Sequence, residues 1–188
     1  MRLFFAVDIS EGVRQAAGEL LRSIDTPKAM VKWIQPDNLH ITLKFLGETP
    51  SGKLEAIVSA ARKVASTHGR MSVEVSGMGV FPDQKKPRVV WLGIKGDTAR
   101  LQKLAGDLDE AMAQEGFAKE NRPFSPHLTI GRVRDPKAGK AINSAIADHQ
   151  ETGFGSFVVD KLLLYESELK QEGPIYTIVS QFILDTEG

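Results

Sequence analysis

Cysteine is absent from the 188 residues of this chain. Without thiols, a disulfide-stabilised scaffold and a cysteine-ligated metal site are both excluded. Long apolar runs are lacking too, since none approaches the roughly 20 residues that cross a bilayer. The short apolar stretch from Leu3 to Val7 is followed at once by Asp8, which is unlike a signal peptide. We therefore expect a cytoplasmic protein with no membrane partner.

The chain also has no net charge, because 24 lysines and arginines balance 24 aspartates and glutamates. A protein that coats a long phosphate backbone usually carries a basic excess, so any role with nucleic acid must depend on local residues. The hydrophobic fraction of 41% excludes a disordered chain. The length fits one domain or two small lobes that share a core.

Strand and helix patterns alternate along the chain, with no linker rich in proline, serine or glycine between them. Ser10 and Asp97 are predicted to cap the first and third helices, and Pro27 is predicted to end the first. Residues 51–67 and 138–149 predict the other two helices. The predicted strands cover residues 2–8, 31–34, 39–46, 71–75, 88–94, 127–130, 157–165 and 176–184.

A repeated tetrapeptide is the most informative feature of the sequence. His40-Ile41-Thr42-Leu43 and His127-Leu128-Thr129-Ile130 share the pattern His-apolar-Thr-apolar and lie 87 residues apart, which is nearly half the chain. Each copy follows a proline-containing turn and opens a predicted strand. This spacing indicates two structurally related halves, and a pseudo-twofold arrangement would bring the two copies face to face.

The repeat has a chemical meaning because residues i and i+2 of a strand share one face, about 6.5 Å apart. Each copy therefore presents an imidazole and a hydroxyl together. Imidazole titrates near neutral pH, and a threonine hydroxyl can donate to an anionic oxygen. The pair His40 and His127 can supply a base and an acid, while Thr42 and Thr129 hold non-bridging oxygens. This inventory fits phosphodiester cleavage or hydrolysis of a cyclic phosphate, with no metal or other cofactor.

Other residues near the motifs are weaker candidates. Lys44 should share the face of Thr42 if the strand is regular, and Arg132 should point away from His127 unless Gly131 bulges the strand. Phe45 is expected in the core. Packing is the expected role of Phe81, Trp91 and Phe124, with base stacking as the alternative, and the remaining histidines, His68 and His149, are expected to be structural.

Five stretches carry a family resemblance: residues 3–7, Trp33 with 38–47, 122–132, 164–167 and 173–176. They are distributed over nearly the whole chain and resemble the 2H phosphoesterase superfamily, in particular its RNA 2′,3′-cyclic phosphodiesterases, also called 2′-5′ RNA ligases. The resemblance implies an α+β fold with two lobes, in which two pseudo-twofold-related antiparallel sheets form a central cleft and the helices lie outside. Residues 1–188 would form one such domain.

The resemblance also implies the reaction and the roles. RNA ends or small nucleotides that carry a 2′,3′-cyclic phosphate would be opened to a 2′-phosphate without a cofactor, by a chain that we expect to be a monomer. His40 would be the proton donor and His127 the proton acceptor, although the residues alone leave the two roles interchangeable. Arg132 matches a phosphate-contacting position of the family, and Lys44 is a further candidate for substrate binding.

Three alternatives remain open. The same site could join RNA halves through a 2′-5′ linkage or cleave another small cyclic phosphodiester. The chain could instead be a nucleotide-binding module without catalysis, although both motifs keep their histidine and threonine. A metal site on the two histidines is the weakest alternative, because no third ligand stands at metal-site spacing.

Overall fold

The computed structural model describes residues 1–185, in which nine strands and four helices alternate. The strands are β1 Arg2–Val7, β2 Val31–Trp33, β3 Ile41–Glu48, β4 Met71–Phe81, β5 Val89–Gly96, β6 His127–Val133, β7 Gly153–Val159, β8 Lys161–Lys170 and β9 Gly173–Ile183. The helices are α1 Glu11–Ser23, α2 Leu54–Ala65, α3 Thr98–Gln114 and α4 Gly139–Asp148.

The strands form two sheets in which every neighbouring pair is antiparallel. The first sheet has the order β3-β1-β8-β9, and the second has the order β2-β6-β5-β4-β7. The first His-x-Thr copy therefore lies at the edge of the first sheet, and the second copy lies on β6, inside the second sheet. The predicted α+β class with two antiparallel sheets is confirmed.

Two of the four helices, α1 and α3, cross between the lobes. α1 follows β1 of the first sheet but packs against β7 of the second, where α4 also contacts β4. α3 follows β5 of the second sheet but packs against α2 and β3, with further contact to β4. The buried face of α1 carries Val13, Ala17 and Leu20 at helical spacing. Each lobe is thus completed by a helix that the other lobe's strand leads into.

One predicted strand is wrong. Residues 157–165 form no continuous strand, because the chain leaves the second sheet at the end of β7 and enters the first sheet at the start of β8, with the exposed Asp160 between them. The sequence gives no glycine or proline signal at this crossing, where only Asp160 and Lys161 separate the apolar residues of the two strands. β4 is also longer than predicted and extends to Phe81.

The predicted helix caps have different outcomes. Ser10 caps α1 as predicted, with its Oγ accepting from the backbone N–H of Val13 at 3.2 Å. Asp97 precedes α3 but makes no side-chain cap bond, because its carboxylate accepts from the backbone N–H of Ser72 at 2.8 Å. α1 ends at Ser23, before Pro27 is reached.

The single domain predicted over residues 1–188 stays a prediction. Within the part of the chain that the structure describes, no helix is long and apolar enough to cross a membrane.

Candidate active site

The two His-x-Thr copies line one cleft between the sheets, with a volume of about 2580 Å³. His40, Thr42, His127, Thr129 and Arg132 all contribute to its walls. The predicted meeting of the two copies is therefore found in the structure.

Each copy is followed by a β-bulge at the same place. In β3, Thr42 pairs with Ala6 and Lys44 with Phe5, so Leu43 is an extra residue. In β6, Thr129 pairs with Trp91 and Gly131 with Val90, so Ile130 is the extra residue. A bulge of one residue reverses the alternation of every side chain beyond it. The fourth residue of both copies is the bulged one, which extends their equivalence from sequence to backbone.

Both motif histidines are held by the same hydrogen bond. Nδ1 of His40 lies 2.7 Å from the carbonyl oxygen of Asn38, and Nδ1 of His127 lies 2.7 Å from that of Ser125. A carbonyl only accepts, so each Nδ1 carries the proton. Nε2 is then the ring nitrogen left for the cleft, and it acts as a base in the neutral imidazole and as an acid in the imidazolium.

The surroundings of the two rings differ. His40 packs at 5.0 Å from the Phe4 ring and has Tyr176 edge-on at 5.1 Å. His127 is also met edge-on at 5.1 Å, by Phe81. Burial lowers the pKa of His40 below its ordinary value of 6.5, although the hydrogen bond to Asn38 and the charge of Asp8 act in the opposite direction. The two sites are alike in geometry and unlike in polarity.

Arg14 organises the chain in front of His40. Its guanidinium donates to the carbonyl of Pro36 at 2.6 Å and to the Asp8 carboxylate at 2.8 Å. The Asn38 side chain donates to the carbonyl of Pro174 at 3.1 Å and so ties the same segment to β9. Sequence reasoning missed this network, because no local pattern links residues that far apart on a helix, a turn and two strands.

The threonine hydroxyls remain available. Thr42 and Thr129 are half-buried in the cleft, and neither side chain hydrogen-bonds to another residue within 1–185. Two free donors beside two histidines form a site for an anion with several oxygens, such as a phosphate.

The bulge also decides the direction of Arg132. The expectation that Arg132 points away from His127 is wrong, because a bulge turns it into the cleft; this was the alternative for a bulged strand, although the extra residue is Ile130 and not Gly131. The Arg132 charge acts on the Tyr176 phenol from the opposite wall and partly offsets the burial that raises the pKa of this tyrosine. Arg132 is exposed and makes no ion pair with any residue of 1–185.

The bulge in β3 has the reverse effect on Lys44. The prediction that Lys44 shares the face of Thr42 is wrong, because Leu43 turns it to the face of Phe5. Its ammonium lies 2.7 Å from Asp109 and 3.1 Å from Glu120, and it donates to the carbonyl of Ala118 at 2.6 Å. Desolvation opposes this charge, but the hydrogen bonds to the two carboxylates outweigh it and raise the pKa of Lys44. We therefore remove Lys44 from the substrate-binding candidates.

Phe45 is the residue that takes the cleft face instead. Its predicted place in the core is wrong, since 55% of its surface is exposed and its ring contacts Phe4 at 5.6 Å. Phe45 stands five residues after His40, as Arg132 stands five after His127. Equivalent positions of the two halves thus carry an aromatic ring on one wall and a cation on the other.

The two remaining histidines are structural, as predicted. His68 is buried and bonded to Asp107 at 2.8 Å, and His149 contacts the Thr152 hydroxyl at 3.1 Å, both away from the cleft lining. Phe81 and Trp91 pack on each other at 5.2 Å. Among residues 1–185, no three histidine, aspartate or glutamate side chains are grouped to hold a metal ion.

Comparisons with known proteins agree with this geometry. The family model described as the 2′-5′ RNA ligase superfamily matches residues 6–171. An RNA 2′,3′-cyclic phosphodiesterase of Methanothermobacter thermautotrophicus is 36% identical, covering 98% of this chain and 99% of the relative. One of Aquifex aeolicus is 31% identical, covering 98% and 97%.

Solved structures share the fold over its whole length. The protein TT0787 of Thermus thermophilus superposes with a TM-score of 0.82 at 29% identity, and all of both chains is covered. E. coli LigT complexed with 3′-AMP gives a TM-score of 0.79 at 28% identity, with 98% of each chain covered.

Proposed function

The chain belongs to the 2′-5′ RNA ligase superfamily, and from this premise we propose that it is an RNA 2′,3′-cyclic phosphodiesterase that opens the cyclic end to a 2′-phosphate. The observation that carries the proposal is the pair of histidines in one cleft. Each has Nδ1 fixed on a backbone carbonyl and Nε2 left free.

The reaction is an in-line displacement at phosphorus. Nε2 of His127 takes a proton from water, and the water oxygen forms a bond to phosphorus on the side opposite the 3′ oxygen. The bond between phosphorus and the 3′ oxygen breaks, and Nε2 of His40 gives its proton to that oxygen. The products are a 2′-phosphomonoester and a free 3′ hydroxyl, and the two histidines exchange protonation states. Solvent restores them, so no metal enters the proposed steps.

Charge develops on the non-bridging oxygens during this displacement. The free hydroxyls of Thr42 and Thr129 are placed to donate to these oxygens, and Arg132 supplies a positive charge on the same side of the cleft. Fixed donors stabilise such a transition state more than mobile water does, because they need no reorganisation.

His40 can act as the proton donor only if it is protonated when the substrate is bound. A donor must carry the proton, yet burial lowers the pKa of His40 in the free protein. The phosphate anion of the substrate must therefore stabilise the protonated His40, since an opposite charge nearby favours the imidazolium and the apolar surroundings do not.

We predict that His40 titrates below pH 6.5 in the free protein and that inorganic phosphate raises this pKa. The Cε1–H signals in an NMR titration, with and without phosphate, measure both values. One limb of the pH profile of kcat/KM, which reports the free enzyme, should then lie below pH 6.5. A His40 pKa that phosphate leaves unchanged would contradict the donor role.

Phosphorus NMR tests the reaction itself. An oligonucleotide with a 2′,3′-cyclic phosphate, incubated with the protein in excess EDTA, should give the signal of a 2′-monoester. Unchanged substrate would refute the proposal, and a 3′-monoester would show that the other ester bond breaks.

Ligation is the second candidate function, and the matching family model supports it by its description. A 5′ hydroxyl in place of water would attack the same phosphorus, and the same two histidines would move the protons. The product would be a 2′-5′ diester, which phosphorus NMR separates from a monoester when RNA with a 5′ hydroxyl is added.

We also infer that one chain is the working unit, because both motifs of the site come from the same chain. Light scattering on active chromatography fractions should give the mass of a monomer.

The cytoplasm is the proposed compartment, since RNA ends are the proposed substrate, and cell fractionation would test it.

A further inference from the structure

A row of cations continues from the active site along one wall of the cleft. Arg132 pairs directly with Lys32 of β2, and Arg134 follows two residues after Arg132. Directly paired residues share a sheet face, so the Lys32 and Arg132 side chains lie side by side, and Arg134 stands in the bend that follows β6. All three are exposed and line the cleft. None makes an ion pair with a residue of 1–185.

The row lies in a cleft whose lining is much more basic than the protein as a whole. Ten lysines and arginines line the cleft against four carboxylates, although the whole chain has no net charge. Two of these carboxylates, Asp109 and Glu120, are already paired with Lys44. The remaining charge of the cleft is therefore positive. Apart from Lys44 and from Lys170, which pairs with Glu168, no lining cation makes an ion pair with a residue of 1–185.

The length of the row exceeds one phosphate. β6 begins at His127, and Arg134 lies just past its end, so at about 3.3 Å per residue the row extends roughly 20 Å from the catalytic histidine. A terminal cyclic phosphate held by the two histidines and threonines cannot reach that far. The cations at Lys32 and Arg134 thus face the part of a ligand that lies beyond the reacting group.

The opposite wall is aromatic. Phe45 is 55% exposed on the cleft side of β3, and Tyr176 lines the same wall. A groove with cations on one side and exposed rings on the other is typical of proteins that bind single-stranded nucleic acid, where phosphates follow the charges and unpaired bases stack. A duplex would offer no free base faces to such a wall.

We propose that Lys32 and Arg134, which continue the row beyond Arg132 at the reacting phosphate, bind the phosphates of the nucleotides that precede the cyclic end, so that the substrate is a single-stranded RNA end of at least three nucleotides. This inference rests on the proposed cyclic phosphodiesterase activity. It assigns Lys32 and Arg134 to affinity for the RNA strand and leaves the chemical step to the two motifs.

Substrate length provides the first test. A 2′,3′-cyclic mononucleotide and single-stranded oligonucleotides of two, four and eight residues with the same cyclic end are compared. KM should fall about tenfold or more between the mononucleotide and the tetranucleotide and then level off, while kcat stays within about twofold. An octanucleotide whose cyclic end is blunt-paired in a duplex should lose this advantage.

Variants provide the second test. Lys32→Ala with Arg134→Ala should raise KM for the octanucleotide about tenfold and leave the mononucleotide unchanged. The dependence of log KM on log salt should fall by about 1.4, since each single-strand phosphate contact contributes about 0.7. Arg70→Ala with Lys95→Ala is the matched control, because both residues are exposed, lie outside the cleft lining and remove the same charge.

The outcomes separate the two proposals. If neither mononucleotide nor oligonucleotide is opened, the phosphodiesterase proposal fails. If both are opened with equal KM and equal salt dependence, only the strand-binding proposal fails. An equal rise of KM in the cleft variant and the control variant would also overturn the strand-binding proposal, because the effect would then come from the total charge of the protein.

Discussion

Alanine in place of either cleft histidine is expected to lower kcat on a 2′,3′-cyclic RNA end by about 10²- to 10⁴-fold, the usual contribution of one positioned acid or base. In the proposed mechanism, His127→Ala removes the group that activates water, and His40→Ala removes the proton for the 3′ oxygen. Steady-state kinetics on the cyclic tetranucleotide measure both losses. His149→Ala is the matched control, because this histidine lies outside the cleft, and it should keep full activity.

A substrate with sulfur in place of the bridging 3′ oxygen separates the two roles. A thiolate leaves without protonation, so His40→Ala should recover most of its lost rate on this substrate, whereas His127→Ala should stay slow. If His127→Ala recovers its rate on this substrate and His40→Ala does not, His127 is the proton donor and His40 the proton acceptor. Full activity of either variant on the oxygen substrate would contradict catalysis by the pair.

Replacing Lys44 with methionine is expected to have the second large effect, a loss of protein stability. The Lys44 side chain is 2% exposed, and its removal leaves Asp109, itself only 20% exposed, without its cation. Loss of one partner of a fully buried pair costs about 3–5 kcal/mol, but exposed pairs contribute little. Glu120 is 54% exposed, so we expect a loss of about 2–3 kcal/mol in the free energy of unfolding.

Urea unfolding of Lys44→Met measures this loss. Lys119→Met is the control, since Lys119 is exposed, pairs with Glu110 and follows Ala118 directly in the same segment. It should leave the free energy of unfolding almost unchanged, because an exposed ion pair contributes little. Equal effects of the two variants would show that Lys44 does not hold the segment that leads to His127.

The contrast between Lys44 and Arg132 shows where reasoning from the sequence ends. The repeat identified the histidines and threonines, because i and i+2 lie on one face in any strand. Beyond the threonine, the face of each residue depends on whether the strand is regular. A single extra residue at Leu43 and at Ile130 exchanged the expected faces of Lys44, Phe45 and Arg132. No residue type in either motif requires a bulge at that position.

Long-range contacts set the second limit. Arg14 reaches Asp8 on one side and Pro36 on the other, and its position on α1 alone indicates a solvent-exposed side chain. The crossing at Asp160 was missed for a related reason, since two strands of different sheets follow each other with no glycine or proline between them. Sheet membership depends on partners distant in the chain, and only the folded structure supplies them.

The exchange of helices between the lobes bears on how RNA reaches the catalytic groups. Moving the lobes apart would strip α1 from β7 and α3 from β3, so wide opening of the cleft carries the cost of exposing core residues. The cleft therefore keeps one width, and a ligand must fit between the two motifs as they stand. Because the exchanged helices complete both lobes, they also hold the two motifs at a fixed separation.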